Sequence, residues 1–387
     1  MRQRRLLVMR FFQSANVLGV ILTLYYRAHG LNYVQILSFE IILSVAMVVF
    51  TVPLGLLADR HGRVRALKYG NVAFMAGAVL FLLARVYWQF LLSDFLYGIG
   101  LAWQSGADTA LLAPGGARWF SRYKAVGAVS GLVSSVLAGF LLQSHGMHML
   151  VILNTVAAML AGLSILTLPD DAPDGSPVPP VPWRHLNQAY RAVRLAPWVV
   201  AWTVAAAVGF RLVGINLMFL DLPLWVARGW RGIWLGVGVA ALYAAGWGSL
   251  LAPALEARLG TRAVLVASQL GMGVLVILLP FVGSPALLTV VMGMGLLLQS
   301  WQTPLTNAKI TAETPGPIQV TVLSMLDVPS LAVTVVGEIG VGLLADLHLG
   351  WALWASGGAI LLALPLWLVR PRNSQKIGAS VSGIAGG

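Results

Sequence analysis

Residues 55–65 read GLLADRHGRVR, an apolar stretch that ends on Asp59 and continues into a turn with three arginines around Gly62. Apolar runs lie on both sides, and each is about 20 residues long, which is the length needed to cross roughly 30 Å of hydrocarbon. Glycine at position 62 allows a tight turn, and clustered arginines are typical of the cytoplasmic ends of membrane spans. The stretch therefore predicts two membrane spans joined by a short, basic cytoplasmic loop.

The composition extends this prediction to nearly the whole chain. Of the 387 residues, 58% are hydrophobic and only 10% are charged. Long apolar runs recur throughout, which excludes a soluble domain with a single anchor, and they are continuous rather than alternating, which favours helices over a β-barrel. The chain has no cysteine, which excludes disulfide bonds and thiol chemistry. We therefore expect an all-α integral membrane protein.

The apolar runs number twelve and fall into two groups of six. A stretch rich in Pro, Asp and Gly at 169–194 separates the groups and has the composition of a linker. The start is basic and then apolar, which indicates a first full-length span rather than a cleaved leader. The predicted domains are an N-terminal six-helix bundle at 1–168, a cytoplasmic linker at 169–194, a C-terminal six-helix bundle at 195–370 and a flexible cytoplasmic tail at 371–387. The predicted spans are 6–26, 34–58, 66–84, 88–113, 124–144, 147–168, 195–224, 232–256, 262–282, 285–308, 319–346 and 350–369.

The basic residues are distributed unevenly across these spans. Twenty of the 25 Lys and Arg residues, Arg10 among them, fall on the side that carries the N-terminus, and four fall on the other side. Lys and Arg are enriched in cytoplasmic loops, so both termini are predicted to be cytoplasmic, in a plasma (inner) membrane. The same bias accounts for the net charge of +12 without a nucleic-acid-binding surface.

Two sequence matches indicate an internal duplication. The pattern G-x-G-x-x-x-Q-S occurs at 98–105 in span four and at 293–300 in span ten, an offset of 195 residues. The loop after span two matches PALEARLGTR after span eight, where Gly62 aligns with Gly260 at an offset of 198 residues. Two matches at nearly one offset predict duplicated halves.

The loop at 55–65, between spans two and three of a duplicated twelve-span chain, resembles the G-x-L-a-D-R-x-G-r-k/r signature loop of the major facilitator superfamily. The resemblance implies twelve transmembrane helices in two pseudo-symmetric six-helix bundles. The phrase SGADTALL at 105–112 resembles the drug- and macrolide-efflux branch. Two departures bear on function: Asp94 stands where many members carry an Arg, and span five (GAVSGLVSSVLAGFLL, 127–142) lacks the Pro common in proton-driven drug antiporters.

The resemblance also implies a gating role for the loop. Asp59 would face the cytoplasmic start of span eleven, where a carboxylate stabilises unpaired N–H groups by roughly 0.3–1 kcal/mol, or up to about 2 kcal/mol when partly buried. Such a contact would hold the cytoplasmic gate shut. Alternatively, the arginines of the loop only anchor the orientation. The gating candidates are Gly55, Asp59, Arg60, Gly62 and Arg63.

Charges inside membrane spans are few, and each needs a partner, water or a function. Asp94, Asp108 and Asp221 are candidates for proton coupling, because the resemblance places spans one, four, seven and ten around a central cavity. An interhelical ion pair is the structural alternative. Glu40, Asp327 and Glu338 are further acids inside spans, and Glu40 is expected to reach outer-surface water.

Polar and aromatic side chains of the same four spans complete the predicted substrate cavity. Glutamine in a helix bundle also hydrogen-bonds neighbouring helices, so a packing role is the alternative. Gln104 and Gln299 repeat within the G-x-G-x-x-x-Q-S pattern and are expected to form a pseudo-symmetric pair. The cavity candidates are Gln13, Asn16, Trp103, Gln104, Arg211, Asn216, Gln299, Trp301 and Gln302.

These observations predict a secondary active transporter that works by alternating access. We expect proton-coupled efflux of amphipathic or hydrophobic small molecules; uptake or exchange of a small, anionic metabolite and lipid flipping are the alternatives. Sequence patterns of zinc, nucleotide and serine-hydrolase sites are missing, so we expect no enzyme, cofactor or metal. The expected partners are a small-molecule substrate, protons or another coupling ion, and membrane lipids, with no nucleic acid and a monomeric protein.

Overall fold

The structure, a computed structural model, describes residues 2–15, 17–104, 107, 111, 116–170, 196–313 and 319–369. Every regular element in these ranges is helical, as expected for a chain that must satisfy its backbone polar groups within lipid. In chain order the helices are α1 (Arg2–Gln13), α2 (Leu22–Ala28), α3 (Tyr33–His61), α4 (Arg63–Leu83), α5 (Tyr87–Gln104), α6 (Gly116–Leu166), α7 (Pro197–Ile215), α8 (Asp221–Ala227), α9 (Ile233–Ala245), α10 (Ala252–Leu259), α11 (Thr261–Leu278), α12 (Pro285–Glu313), α13 (Gln319–Leu347) and α14 (Leu349–Leu362).

Helices occupy the described part of every predicted span, and span one is interrupted. Within the described ranges, nine helical stretches are long and apolar enough to cross a membrane, and a bent pair at the N-terminus adds a tenth. One of the nine, Arg122–Leu166, has 45 residues and covers spans five and six, which meet at a kink where Gly146 has φ 76°. Helix α5 falls outside the nine because Gln89, Asp94 and Gln104 lower its hydropathy. The all-α membrane fold is thus confirmed.

Span one is broken, although the sequence predicted one continuous helix. The chain bends by 53° between 3–20 and α2. Ser14 and Gly19 lie in the interrupted segment, and serine competes with helical hydrogen bonds while glycine has a low helix propensity. The interruption leaves the Phe11 carbonyl to accept a hydrogen bond from Ser130 Oγ of α6. Helix α6 therefore holds the end of α1 in place.

The first compact unit consists of Met1–Val178, Met218–Ala244 and Ser284–Ala286. Its helices approach closely at small residues: a Cβ added at Gly70 of α4 would lie 2.8 Å from the Gly100 carbonyl oxygen of α5. A Cβ at Gly98 would likewise lie 2.7 Å from the Leu43 carbonyl oxygen of α3. Membrane helices pack at small residues in this way because their backbones then come into contact.

The second unit consists of Pro179–Leu217, Ala245–Gly283 and Leu287–Gly387. Three buried indoles form its core. The ring centroids of Trp198 and Trp202 are 5.3 Å apart, and those of Trp202 and Trp367 are 5.5 Å apart, both with edge-to-face geometry. The predicted domain boundaries at 168/169 and 194/195 adjoin residues outside the description, and that division stays a prediction.

The two predicted loop equivalents share one backbone conformation. Gly62 joins α3 to α4 with φ 100° and ψ 145°, and Gly260 joins α10 to α11 with φ 80° and ψ 149°. Each donates its N–H to the helix before it, at 3.0 Å from Ala58 O and 2.8 Å from Glu256 O respectively. Positive φ favours glycine, so the turn itself explains why both loops keep this residue. The match agrees with a duplication at an offset of 198.

Candidate functional site

A chain of amide side chains links spans one, three and four in the first unit. Gln13 Nε2 donates to Asn71 Oδ1 at 3.0 Å and to Gln104 Oε1 at 3.1 Å. Asn71 Nδ2 in turn donates to the Leu67 carbonyl at 2.8 Å. Buried amides that bond across helices fix their register, so Gln13 and Gln104 have a packing role whether or not they also line a cavity.

Asp94 of α5 lies beside a cluster of aromatic rings. Tyr26 Oη donates to Asp94 Oδ2 at 3.4 Å, and the Tyr26 ring lies 4.8 Å from Phe39 and 5.2 Å from Phe90 between centroids. The charge of Glu40 on α3 is close enough to act on the Asp94 carboxyl. None of the described cations forms an ion pair with Asp94. The structure thus brings two acids together inside the membrane spans of one unit.

Glu40 had been expected to reach surface water, and its proximity to Asp94 was not predicted. The two residues are 54 positions apart on different spans, and no repeat or motif joins them. Tyr97, one turn after Asp94, hydrogen-bonds to Asn154 of α6 and also lies within the electrostatic reach of Asp94. The charged and titratable groups that face Asp94 are therefore Tyr26, Glu40 and Tyr97.

The helix of span seven changes its geometry at Asn216 and Asp221, which are candidates for the cavity and for proton coupling. A five-residue π-helix runs from Asn216 to Leu220, between α7 and α8. Asn216 is fully buried; its Nδ2 donates to the Leu212 carbonyl at 2.6 Å, and its Oδ1 has no hydrogen-bond partner within the described chain. This residue lines a small apolar cavity with Met292 and Gly295 of α12. π-Helices of this kind are frequent at functional sites.

Asp221 begins α8 and is 2% exposed. Its Oδ1 accepts the N–H of Leu222 at 2.6 Å, directly after the π-helix. Arg211 of α7 places its guanidinium carbon 5.8 Å from the ring centroid of Phe210. Asp221 thus has a partner within its own helix.

Three predicted cavity residues of span ten form hydrogen bonds within the second unit. Gln299 Nε2 donates to the Phe210 carbonyl at 2.7 Å, and Trp301 Nε1 donates to the Gly248 carbonyl at 2.8 Å. Gln302 Nε2 donates to Gln269 Oε1 at 2.6 Å. Gln104 accepts a hydrogen bond from an amide side chain. In the second unit Gln302 bonds to an amide side chain, whereas Gln299 bonds to a backbone carbonyl, so Gln302 is the residue whose contacts match those of Gln104.

The structure describes the side chains of only some of the remaining candidate residues. A Cβ at Gly55 would meet nothing within 4 Å, so the close packing expected there is absent from the described chain. Arg63 is exposed at the start of α4, and the Trp103 ring lies 5.4 Å from Tyr69. Asp59 and Arg60 lie in α3, but their side chains are outside the description, as are the whole of Asn16 and Asp108.

The first turns of α4, directly after Gly62, form two ion pairs with one acid. Arg65 Nε lies 2.8 Å from Asp170 Oδ2, and Lys68 Nζ lies 2.7 Å from Asp170 Oδ1. These hydrogen bonds, from Lys68 first and then Arg65, hold the pKa of the exposed Asp170 carboxyl below its usual value. The end of span six is thus attached to the start of span three.

The comparisons with known proteins agree with this architecture. The family model described as Major Facilitator Superfamily matches residues 6–255. No curated protein matches the sequence significantly.

Among solved structures, a mutant of the nucleoside transporter NupG superposes with a TM-score of 0.80 at 14% identity, covering 95% of this chain and 98% of that one. A bacterial homologue of the human lysosomal transporter Spinster, in an inward-facing and unoccupied conformation, gives 0.75 at 14% identity with 98% and 97% coverage. A D-xylose-proton symporter gives 0.74 at 15% identity with 96% and 97% coverage. At these identities the likeness establishes the fold.

Proposed function

Because the chain belongs to the Major Facilitator Superfamily, we propose that it is a secondary active transporter that exports amphipathic small molecules by alternating access in exchange for protons. Solved proteins with similar folds are described as a nucleoside transporter, a peptide transporter and a D-xylose-proton symporter, so transport of a small molecule is common to those names. The D-xylose-proton symporter is coupled to protons on this fold. Transport rather than catalysis is therefore the activity we assign.

The observation that carries proton coupling is the surroundings of Asp94. A carboxyl group in a membrane span needs a cation, water or a proton as its partner. Asp94 has a phenol at 3.4 Å and a second acid within electrostatic reach, and no described cation is paired with it. A bound proton would neutralise Asp94 inside the span, and its release to water on the other side of the membrane would couple transport to proton flow.

The charge distribution also bears on the orientation of the protein in its membrane. We place it as a monomer in the plasma (inner) membrane with both termini in the cytoplasm, because of the strong bias of Lys and Arg toward one side. The membrane lipids are then its solvent, and protons are its coupling ion. The loop at 55–65 would take part in its cytoplasmic gate, as the resemblance to the signature loop implies.

The test uses proteoliposomes with the pH-sensitive dye pyranine inside and an imposed pH gradient. The probes are 2-naphthalenesulfonate and (2-naphthylmethyl)trimethylammonium, whose permanent charges prevent them from carrying protons across the bilayer unaided. We expect one of them to move against the proton flow in the wild-type protein. In Asp94→Asn the probe-dependent proton flux should disappear while probe binding remains.

The matched control is Asp346→Asn, which removes an acid from the exposed end of α13. It should transport like the wild type. Equal proton flux in Asp94→Asn and wild type would refute the role of Asp94, and no probe movement under either gradient direction would refute export. Movement of the probe together with protons would instead indicate uptake.

A further inference from the structure

Arg10 is a cation inside the first unit, although its position near the N-terminus predicted a cytoplasmic charge. It lies in the last turn of α1, just before the break in span one. Its Nε atom is buried and has no hydrogen-bond partner within the described chain. Its guanidinium carbon lies 5.0 Å from the ring centroid of Tyr123, a residue of α6 that is 8% exposed.

One face of α6 leaves room for this side chain. Tyr123, Gly127 and Gly131 follow at intervals of four and therefore lie on the same face of the helix. A Cβ at Gly127 would lie 2.8 Å from Arg10 Nε, and a Cβ at Gly131 would lie 2.9 Å from Cε1 of Tyr243 on α9. Any larger residue at either glycine would displace the guanidinium or the phenol. The two glycines therefore allow Arg10 and Tyr243 to pack closely against this face of α6.

Further hydrogen-bond donors lie around the guanidinium. Ser14 Oγ would be 3.0 Å from the same Cβ at Gly127, so the hydroxyl and Arg10 Nε pack against the same glycine. The charge of Arg10 also reaches the Tyr243 hydroxyl. Neither of the described ion pairs includes Arg10, since both are formed by Asp170. Donors surround this position, and the described chain supplies no carboxylate to it.

Such an arrangement suits an anion from outside the chain. A cation within a membrane span is costly and usually marks a substrate or ion pathway. The ring face of Tyr123 compensates part of the charge, while the buried Nε has no hydrogen-bond acceptor within the described chain. A planar guanidinium binds carboxylates, sulfonates and phosphates through paired N–H bonds, which would give the buried Nε its missing acceptor.

We propose that Arg10, with Ser14 and Tyr243, binds the anionic group of the transported molecule, so that the substrate is an amphipathic organic anion. This inference rests on the proposed transport function and names its substrate class. The same chemistry would be offered by a soluble anion or by the headgroup of an anionic phospholipid. The apolar part of either molecule would face the aromatic and aliphatic side chains of the unit.

The test measures probe binding to the full-length protein in nanodiscs of phosphatidylcholine, without any gradient. The probes are 2-naphthalenesulfonate, the nearly isosteric and neutral 2-naphthalenesulfonamide, and (2-naphthylmethyl)trimethylammonium. We expect the sulfonate to bind most tightly. Arg10→Gln should weaken sulfonate binding at least about tenfold, which corresponds to about 1.4 kcal/mol, and should leave sulfonamide binding unchanged.

Two further variants keep the result interpretable. Arg10→Lys retains the charge and should restore part of the affinity for the sulfonate. Arg4→Gln removes an exposed arginine of the same helix and should bind the sulfonate like the wild type. Thermal unfolding of each variant shows whether it still folds. If Arg10→Gln does not fold, the sulfonate affinities of Arg10→Lys and the wild type are compared instead.

The inference is overturned if Arg10→Gln binds the sulfonate as tightly as the wild type, or if the wild type prefers the cation or the amide. Adding phosphatidylglycerol to the nanodiscs separates the two sources of anion: competition with the sulfonate in the wild type but not in Arg10→Gln identifies a lipid headgroup. Because no gradient is used, sulfonate binding that depends on Arg10 without transport in proteoliposomes would refute the transport proposal alone.

Discussion

The contact between Gly139 of α6 and Gly236 of α9 is a sensitive point of the first unit. A Cβ at Gly139 would lie 2.8 Å from Gly236 Cα and 2.9 Å from both Gly236 N and the Ile233 carbonyl oxygen. All three atoms belong to the backbone, so no flexible side chain can move aside. The substitution Gly139→Ala therefore requires the two helices to move apart.

The expected cost follows from this geometry. Overpacking by one methyl group costs about 1–3 kcal/mol where the neighbours cannot yield. A Gly→Ala change within a helix otherwise stabilises it by up to about 1 kcal/mol. The control is Gly246→Ala in the predicted span of Gly236, because a Cβ at Gly246 would meet nothing within 4 Å. Gly139→Ala should therefore shift the ratio of separated to packed helices by a factor of roughly 5 to 150 relative to the control.

Because the chain has no cysteine, a single introduced thiol can report this shift without background. Ser135 is fully buried, and its carbonyl oxygen is the atom that a Cβ at Gly236 would overlap. In a Ser135→Cys background, the reaction rate with a maleimide should rise by that factor in Gly139→Ala and stay unchanged in Gly246→Ala. Equal rates in the two variants, with both proteins folded, would refute the packing argument.

Two predictions concern polar contacts. Because hydrogen bonds from Lys68 and Arg65 lower the pKa of Asp170, their contact should persist at neutral pH and be lost only as the pH falls through that lowered pKa. Lys68→Gln should move the midpoint of a ¹³C carboxyl titration of Asp170 upward, and an unchanged midpoint would contradict this. Gln302→Leu leaves Gln269 Oε1 without its described donor and should cost about 1–3 kcal/mol in thermal unfolding. The double variant with Gln269→Leu should lose less than the two single changes added together, and strict additivity would argue against the bond.

The sequence predicts most of the fold because hydropathy and turn chemistry are local properties. Apolar runs of membrane length locate the helices, and the two glycines at 62 and 260 mark turns that need positive φ. The break in span one is a different case. It depends on a competition between a few polar side chains and the helical backbone, and it is stabilised by the hydroxyl of Ser130 from a helix more than 100 residues away.

The candidate sites were less accessible to sequence reasoning, because they depend on which helix faces which. Arg10 counts toward the cytoplasmic bias when position along the chain is the only guide, yet α6 surrounds it with Tyr123 and Gly127. Glu40 and Asp94 belong to separate spans that pack through Gly98. The sequence marked Asp94 as a candidate because a charge inside an apolar span needs a partner, water or a function. The residues that surround such a charge depend on how the helices pack, which the sequence pattern does not reveal.

The hydrogen bonds of the amides indicate which offset relates the two repeats. Asn71 and Gln269 are 198 residues apart, as are Gln104 and Gln302, and this equals the offset between Gly62 and Gly260. Both amide pairs connect the third and fourth spans of their repeat, through Gln13 in the first and directly in the second. The G-x-G-x-x-x-Q-S match at 195 is therefore out of register by three residues.

At the correct offset the counterpart of Gln13 is Arg211, so the first span of the second repeat carries a cation where the first repeat carries an amide. In the first repeat the cation is Arg10, three residues or about one helical turn earlier. The two repeats have thus kept amide hydrogen bonds that link their third and fourth spans, and each carries an arginine in its first span. Since arginines inside membrane spans often mark substrate or ion pathways, this shared feature agrees with the anionic substrate that we propose.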